Sequence, residues 1–244
     1  MTSLVFLRHG QSEWNRDHRF TGWSDVGLTA TGIAECETAG RALAAAGHRF
    51  DVCFTSVLAR GIDAARATLR ALGTPEFELK QTWRLNERHF GALQGMSRSQ
   101  AIRAYGLLPV LRLQRSYSLR PPPLRKEDPR FPGHDPLYAE LSEKELPKSE
   151  SLAETYVRVV PYWHGSIVPS LRLGRSVLIV AHKNSLRVLA KLIESLPDSE
   201  VPKLELPTGQ PLVYEFDRSL NLLRREFLAP RRRTRPLWRL LSPA

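Results

Sequence analysis

The chain has 244 residues, 42% hydrophobic and 25% charged, a balance that supports a substantial core and excludes general disorder. Its 36 basic and 25 acidic residues give a net charge of +11, which suits an anionic partner such as a phosphorylated metabolite, a nucleic acid or an acidic lipid. No run of about 18 apolar residues and no basic segment before an apolar run occurs, so the expectation is a cytoplasmic protein without a membrane span.

Residues 4–7, LVFL, predict a buried strand. It ends at Arg8, His9 and Gly10, where glycine would let the chain turn away. Thr29 predicts a helix cap, followed by Ile33, Cys36, Gly40 and Leu43 at helical spacing, with Gly47 as the stop. DVCFT, 51–55, predicts a second buried strand, and Ile62, Ala65, Leu69 and Leu72 a second helix ending at Gly73. Strand and helix alternate twice, which predicts an α/β fold with a mainly parallel central sheet flanked by helices, a three-layer sandwich. Cys36 and Cys53 lack metal-ligand spacing and read as small core residues.

A short strand is predicted at 79–83. Beyond Arg98 the alternation fails, and RPPPLRKEDPRFPGHDP is too rich in proline for regular structure. Residues 106–149 therefore read as an irregular insertion, of a length that suggests a lid. A helix is expected over 150–171, with Leu152, Tyr156, Val159, Trp163 and Ile167 on one face and Pro161 kinking or dividing it. SVLIVAH, 176–182, is a third apolar strand that ends on a histidine. A helix over 184–195 and a strand PLVYEF complete a catalytic domain over 1–220. Residues 221–244, with Arg224, Arg225, Arg231, Arg232, Arg233, Arg235 and Arg239, read as a solvated basic tail.

Two buried strands ending in His9 and His182 suggest one crevice, because ligands of open α/β sheets collect at the carboxyl ends of strands. Arg8 adjoins the first histidine. Arg60 opens the helix after the second strand, where free backbone N–H groups favour an anion. Singly, each is an ordinary loop or surface residue; the repetition points to a phosphate site. No P-loop and no metal-ligand cluster is present in the sequence.

RHGQSEWN, RFTGWSDVGLTATG, FTSVLAR, TWRLNERHFGALQG, RPPPL, LPKSESLAET, AHKNSLR and LPTGQPLVYE follow in order over residues 3–217. Together they resemble the cofactor-dependent phosphoglycerate mutases of the histidine phosphatase superfamily. The resemblance implies that His9 is the nucleophile, that Arg8, Arg60 and His182 surround the transferring phosphoryl group, and that Glu87 moves protons. It assigns substrate contacts to Asn15, Thr21, Gly22, Arg88, Arg115 and Asn184. It further implies 2,3-bisphosphoglycerate as a phosphoryl primer, no metal, and a homodimer.

Four positions depart from the family pattern: Phe90 replaces a tyrosine, Arg98 a lysine, Gln114 an arginine, and Lys183 a glycine. All four are expected around the non-transferred end of the substrate. Three function classes follow: a mutase exchanging 3- and 2-phosphoglycerate, a diverged phosphatase or phosphotransferase on another small phosphorylated acid, and an inactive homologue binding nucleic acid or protein.

Overall fold

The computed structural model describes residues 2–74 and 77–228. Strands β1 (Thr2–Arg8), β2 (Val52–Thr55), β3 (Leu79–Gln81), β4 (Val177–Ala181), β5 (Leu212–Phe216) and β6 (Leu222–Phe227) form one sheet. Its order is β3-β2-β4-β1-β5-β6. The β3–β2, β2–β4 and β4–β1 pairs are parallel, and β5 and β6 continue antiparallel. The helices are α1 (Glu13–Arg16), α2 (Ala30–Ala45), α3 (Ala59–Leu72), α4 (Arg98–Tyr105), α5 (Leu107–Arg115), α6 (Leu152–Tyr162), α7 (Val168–Arg172) and α8 (Lys183–Glu194).

Continuous apolar runs make β1, β2 and β4 strands with two buried faces, which require helices on both sides. Alternate residues feed two cores. Leu4, Phe6, Phe54 and Ile179 pack with α6, α7 and α8, whereas Val5, Leu7, Cys53, Leu178 and Val180 pack with α2 and α3. The expected three-layer sandwich is therefore present. Cys36 and Cys53 are buried free thiols. Among the described residues no helix is long and apolar enough to cross a membrane.

Four local expectations change or gain detail. The α2 cap is Thr29, whose hydroxyl accepts the Gly32 N–H at 3.1 Å, but Ile33 is 39% exposed and Gly32 faces inward. The reason is close packing: a Cβ on Gly10 would lie 2.0 Å from the Gly32 carbonyl oxygen, and one on Gly32 would lie 2.1 Å from that of Gln11. Gly10 has no left-handed φ, so it is required by this approach and not by a turn. Pro161, expected to kink or divide its helix, does divide it, by a form of turn that the sequence did not specify. The missing N–H and crowding ring are accommodated by a π turn over Trp163–Ile167 that leads into α7.

Third, 106–149 is partly regular. It begins with α5, where Pro109 stands in the first turn, which tolerates it, and Val110 and Leu113 are buried. Turns at Pro132–His134 and Pro136–Tyr138 bury Phe131 and Tyr138. Last, the basic tail starts within the sheet: Arg224 and Arg225 belong to β6, an edge position that charged residues protect from further pairing. Arg231, Arg232, Arg233, Arg235 and Arg239 lie outside the described residues.

Candidate active site

Register brings the two histidines together. Arg8 at the end of β1 pairs with Ala181 at the end of β4, so the next residues, His9 and His182, sit side by side with rings 5.0 Å apart and 61° between planes. The His9 backbone N–H donates to the Ala181 carbonyl at 3.0 Å. β2 flanks β4 on its other side, and Ser56, just past its end, shares a 2.7 Å hydrogen bond with His182 Nε2.

His9 Nδ1 donates to the Gly10 carbonyl at 2.7 Å. This fixes the tautomer and leaves the lone pair on Nε2. Burial, then Arg60, then Arg8 hold the His9 pKa well below 6.5, so the ring is neutral and nucleophilic at pH 7. His182 is lowered in the same way, by burial first and then by Arg60.

The cations are oriented by neutral oxygens. Arg60 is 1% exposed and donates to the carbonyls of Gly22 at 2.7 Å and Ser24 at 2.9 Å. Arg8 donates to the Leu206 carbonyl at 3.0 Å. Burial lowers the Arg60 pKa to about 10, which still leaves the guanidinium charged at pH 7. Glu87 Oε1 accepts the backbone N–H groups of Arg88 at 2.7 Å and Asn184 at 3.2 Å.

Arg8, His9, Arg60 and Glu87 line a cleft of about 150 Å³ together with Asn15, Thr21, Phe90, Lys183, Asn184, Arg19 and Phe20, whereas His182 is fully buried beside His9 and off this wall. Two imidazoles, two guanidiniums held by carbonyl oxygens and one backbone-held carboxylate in and beside a small cavity suit phosphoryl transfer, whose transition state spreads charge over three equatorial oxygens. Among the described residues no group of three or more histidine, cysteine, aspartate or glutamate side chains could hold a metal.

Residues 4–131, just over half of the chain, match the family model of the histidine phosphatase superfamily, branch 1. The chain belongs to that superfamily. Similar solved structures include a mycobacterial glucosyl-3-phosphoglycerate phosphatase in complex with VO3, with a TM-score of 0.70 at 20% identity over 93% of this chain and 97% of that one. Bacillus stearothermophilus YhfR gives 0.69 at 19% identity over 91% and 95%, and the alpha-ribazole phosphatase of Shigella flexneri gives 0.65 at 19% over 91% and 95%. At such identities the likeness shows the shared fold.

Within this histidine phosphatase fold, several residues assigned to the substrate by resemblance lie off the cleft wall. Gly22 contributes its carbonyl to Arg60. Arg88 is buried behind the wall with its guanidinium 4.6 Å from the Phe90 ring centre. Arg98 is exposed at the start of α4, and on α5 Gln114 is half-buried and Arg115 exposed. The cause is packing: Val110 and Leu113 turn inward onto Leu93 and Ala101, which directs the neighbouring polar residues of α5 elsewhere. The insertion contributes no residue to the cleft wall. It backs the Glu87 loop instead: Tyr138 lies 4.8 Å from the Trp23 ring and accepts from Asn86 Nδ2 at 2.9 Å, while Trp23 Nε1 donates to the Glu87 carbonyl at 2.7 Å.

Some participants were not anticipated. Phe20 is one, pairing at 5.2 Å on the wall with Phe90, which was expected there. Arg187, one turn along α8 from Lys183, is 7% exposed; its signal was a basic residue between the buried apolar Leu186 and Val188. Arg158 carries the densest network. It donates to Glu150 at 2.5 Å and 3.0 Å, to the Arg84 carbonyl at 2.6 Å, and to the carbonyls of Asn86 and Glu87, both at 2.9 Å. That network holds the segment bearing Glu87.

Three buried histidines give this protein an acid-sensitive stability. His9 and His182 are held well below 6.5, and burial and Arg158 push His89 down to about 3. Because the unfolded chain protonates these rings near pH 6.5 while the native state does not, stability is present above that pH and is lost as pH falls. Between pH 6.5 and 5, before carboxylates titrate, each histidine contributes a loss of up to about 1.4 kcal/mol per pH unit. Urea unfolding at half-unit pH steps measures this; a flat midpoint over that range would contradict it.

Proposed function

We propose that this protein is a phosphomonoesterase that passes the phosphoryl group of a small ester through His9 to water. The observation that carries the reading is the His9 ring, with Nδ1 committed to the Gly10 carbonyl and lone-paired Nε2 in a cleft with Arg8, Arg60 and Glu87. Nε2 attacks phosphorus, the ester P–O bond breaks, and Glu87, carrying the proton as its carboxylic acid when the ester binds, delivers it to the departing alkoxide and becomes the carboxylate. Water then attacks the phosphohistidine, Glu87 accepts its proton, the P–N bond breaks, and inorganic phosphate leaves with neutral His9 restored. Arg8 and Arg60 face the equatorial oxygens throughout, with His182 packed against the His9 ring from behind.

Hydrolysis is favoured over exchange by the far end of the cleft. A mutase primed by 2,3-bisphosphoglycerate must hold a second dianion there, yet Arg98, Gln114 and Arg115 are off the wall and Phe90 lacks the tyrosine hydroxyl. The residues present do not fit that primer, and hydrolysis needs none. The similar mycobacterial and Shigella proteins are both phosphatases, which supports the hydrolytic reading. One observation favours the second reading, an exchange of 3- and 2-phosphoglycerate: the segment TWRLNERHFGALQG resembles the mutase branch.

Phosphorus NMR of the protein with 3-phosphoglycerate, with and without 2,3-bisphosphoglycerate, separates the two, with glycerol 3-phosphate and p-nitrophenyl phosphate as further esters. Inorganic phosphate without primer is expected. Appearance of 2-phosphoglycerate only with primer, and no free phosphate from any ester, would replace hydrolysis by exchange.

A further inference from the structure

One side of the cleft carries more positive charge than phosphoryl transfer uses. Lys183, the first residue of α8, lines the cleft with its side chain 29% exposed. Behind it Arg187 is 7% exposed, and its guanidinium is oriented by the Leu204 carbonyl at 2.9 Å and Asn184 Oδ1 at 3.2 Å. Neutral oxygens thus fix Arg187 without cancelling it. Arg8 and Arg88 repel this pair from β1 and from the Glu87 loop. The carboxylates acting on it are Glu87, engaged with two backbone N–H groups, and Glu205, whose side chain is 54% exposed with Oε2 3.8 Å from Lys183 Nζ. Burial, then repulsion from Arg187 and Arg8, brings the Lys183 pKa to about 8, and Arg187 is lowered by burial to about 10. Buried cations gathered in this way destabilise the fold unless an anion joins them.

We propose that Lys183 and Arg187 form a subsite for a second oxyanion on the phosphate ester, with Lys183 as the contact and Arg187 as the buried charge behind it. Glu205 holds Lys183 in the free enzyme and gives way when the substrate's own anion arrives. The proposal rests on the phosphomonoesterase reading and names its substrate class: a phosphate ester bearing a carboxylate close to the transferred group, so that both anions enter the one cleft lined by His9 and Lys183. A singly phosphorylated alcohol leaves the subsite's positive charge unanswered.

The test compares 3-phosphoglycerate with glycerol 3-phosphate, which differ by a carboxylate against a hydroxymethyl group, in the parent, K183M, K183R and E205Q at pH 6.5. The readout is the ratio of kcat/KM for the two esters. In the parent 3-phosphoglycerate is preferred, K183M lowers the ratio by about tenfold, mainly through KM, and K183R restores part of it. E205Q raises the ratio severalfold, a gain that a merely structural role would not give. The parent's ratio falls as pH rises through about 8, where Lys183, surrounded by Arg8, Arg187, Glu87 and Glu205, loses its proton. An unchanged ratio in K183M, or a lowered one in E205Q, overturns the proposal. If the parent releases no phosphate from either ester, the hydrolytic reading fails separately; calorimetric binding of the two esters to the same proteins then decides the subsite, and equal affinities in the parent refute it.

Discussion

His9→Ala lowers phosphate release by about 10⁴- to 10⁶-fold and abolishes the phosphoenzyme, because loss of a nucleophile removes the covalent route and not one contact among several. Residual turnover comes from Arg8 and Arg60, which still polarise a bound ester toward direct attack by water. The loss is not an unfolding effect. The His9 ring is buried between two guanidiniums that disfavour its charged form, and its one polar side-chain bond goes to the adjacent Gly10 carbonyl, so the melting temperature is expected to shift by only a few degrees. Rapid quench with a phosphorus-labelled ester gives an acid-labile, base-stable adduct in the parent. The same adduct in His9→Ala would place the nucleophile elsewhere.

Glu150→Ala has the largest expected effect on stability, about 3–5 kcal/mol, because it strands a buried guanidinium. The Arg158 and Glu150 side chains are 7% and 5% exposed, and Glu150 also accepts the His89 backbone N–H at 2.8 Å. At roughly 2–4 °C per kcal/mol for a protein of this size, the melting temperature falls by about 10 °C. Arg158→Leu, which removes the charge and leaves Glu150 with one donor, relaxes the same segment. Both variants lose activity beyond their loss of folded protein, since Arg158 fixes the Asn86 and Glu87 carbonyls. A melting temperature within 2 °C of the parent's for Glu150→Ala would show that the pair contributes nothing net.

What the sequence made legible was carried by local signals. LVFL, the VCF of DVCFT and the VLIV of SVLIV are unbroken apolar runs, as strands buried on both faces require, and Thr29 marks its helix by a hydroxyl that the structure uses as a cap. The closeness of His9 and His182 followed from two strands each ending in histidine, since parallel strands bring their carboxyl ends to one edge. What stayed hidden depends on distant partners. Arg158 meets Glu150 two helical turns away and carbonyls more than 70 residues away, and no local pattern encodes that. Gln114 and Arg115 were assigned by family resemblance, whereas their direction is set by Val110 and Leu113 packing on Leu93. In LLRREF, arginine content masked an edge strand whose pairing partner is β5.

The anchoring of Arg60 by the Gly22 and Ser24 carbonyls has a kinetic consequence. A guanidinium tied to a carboxylate is electrically silent a few ångströms away, whereas one tied to carbonyls keeps its field. That field, focused by a narrow low-dielectric mouth, draws anions from solution before any contact forms. Encounter should therefore slow as added electrolyte shortens the Debye length from about 30 Å at 0.01 M to about 8 Å at 0.15 M. Capture of substrate, and not only its conversion, is built into how one side chain is tethered.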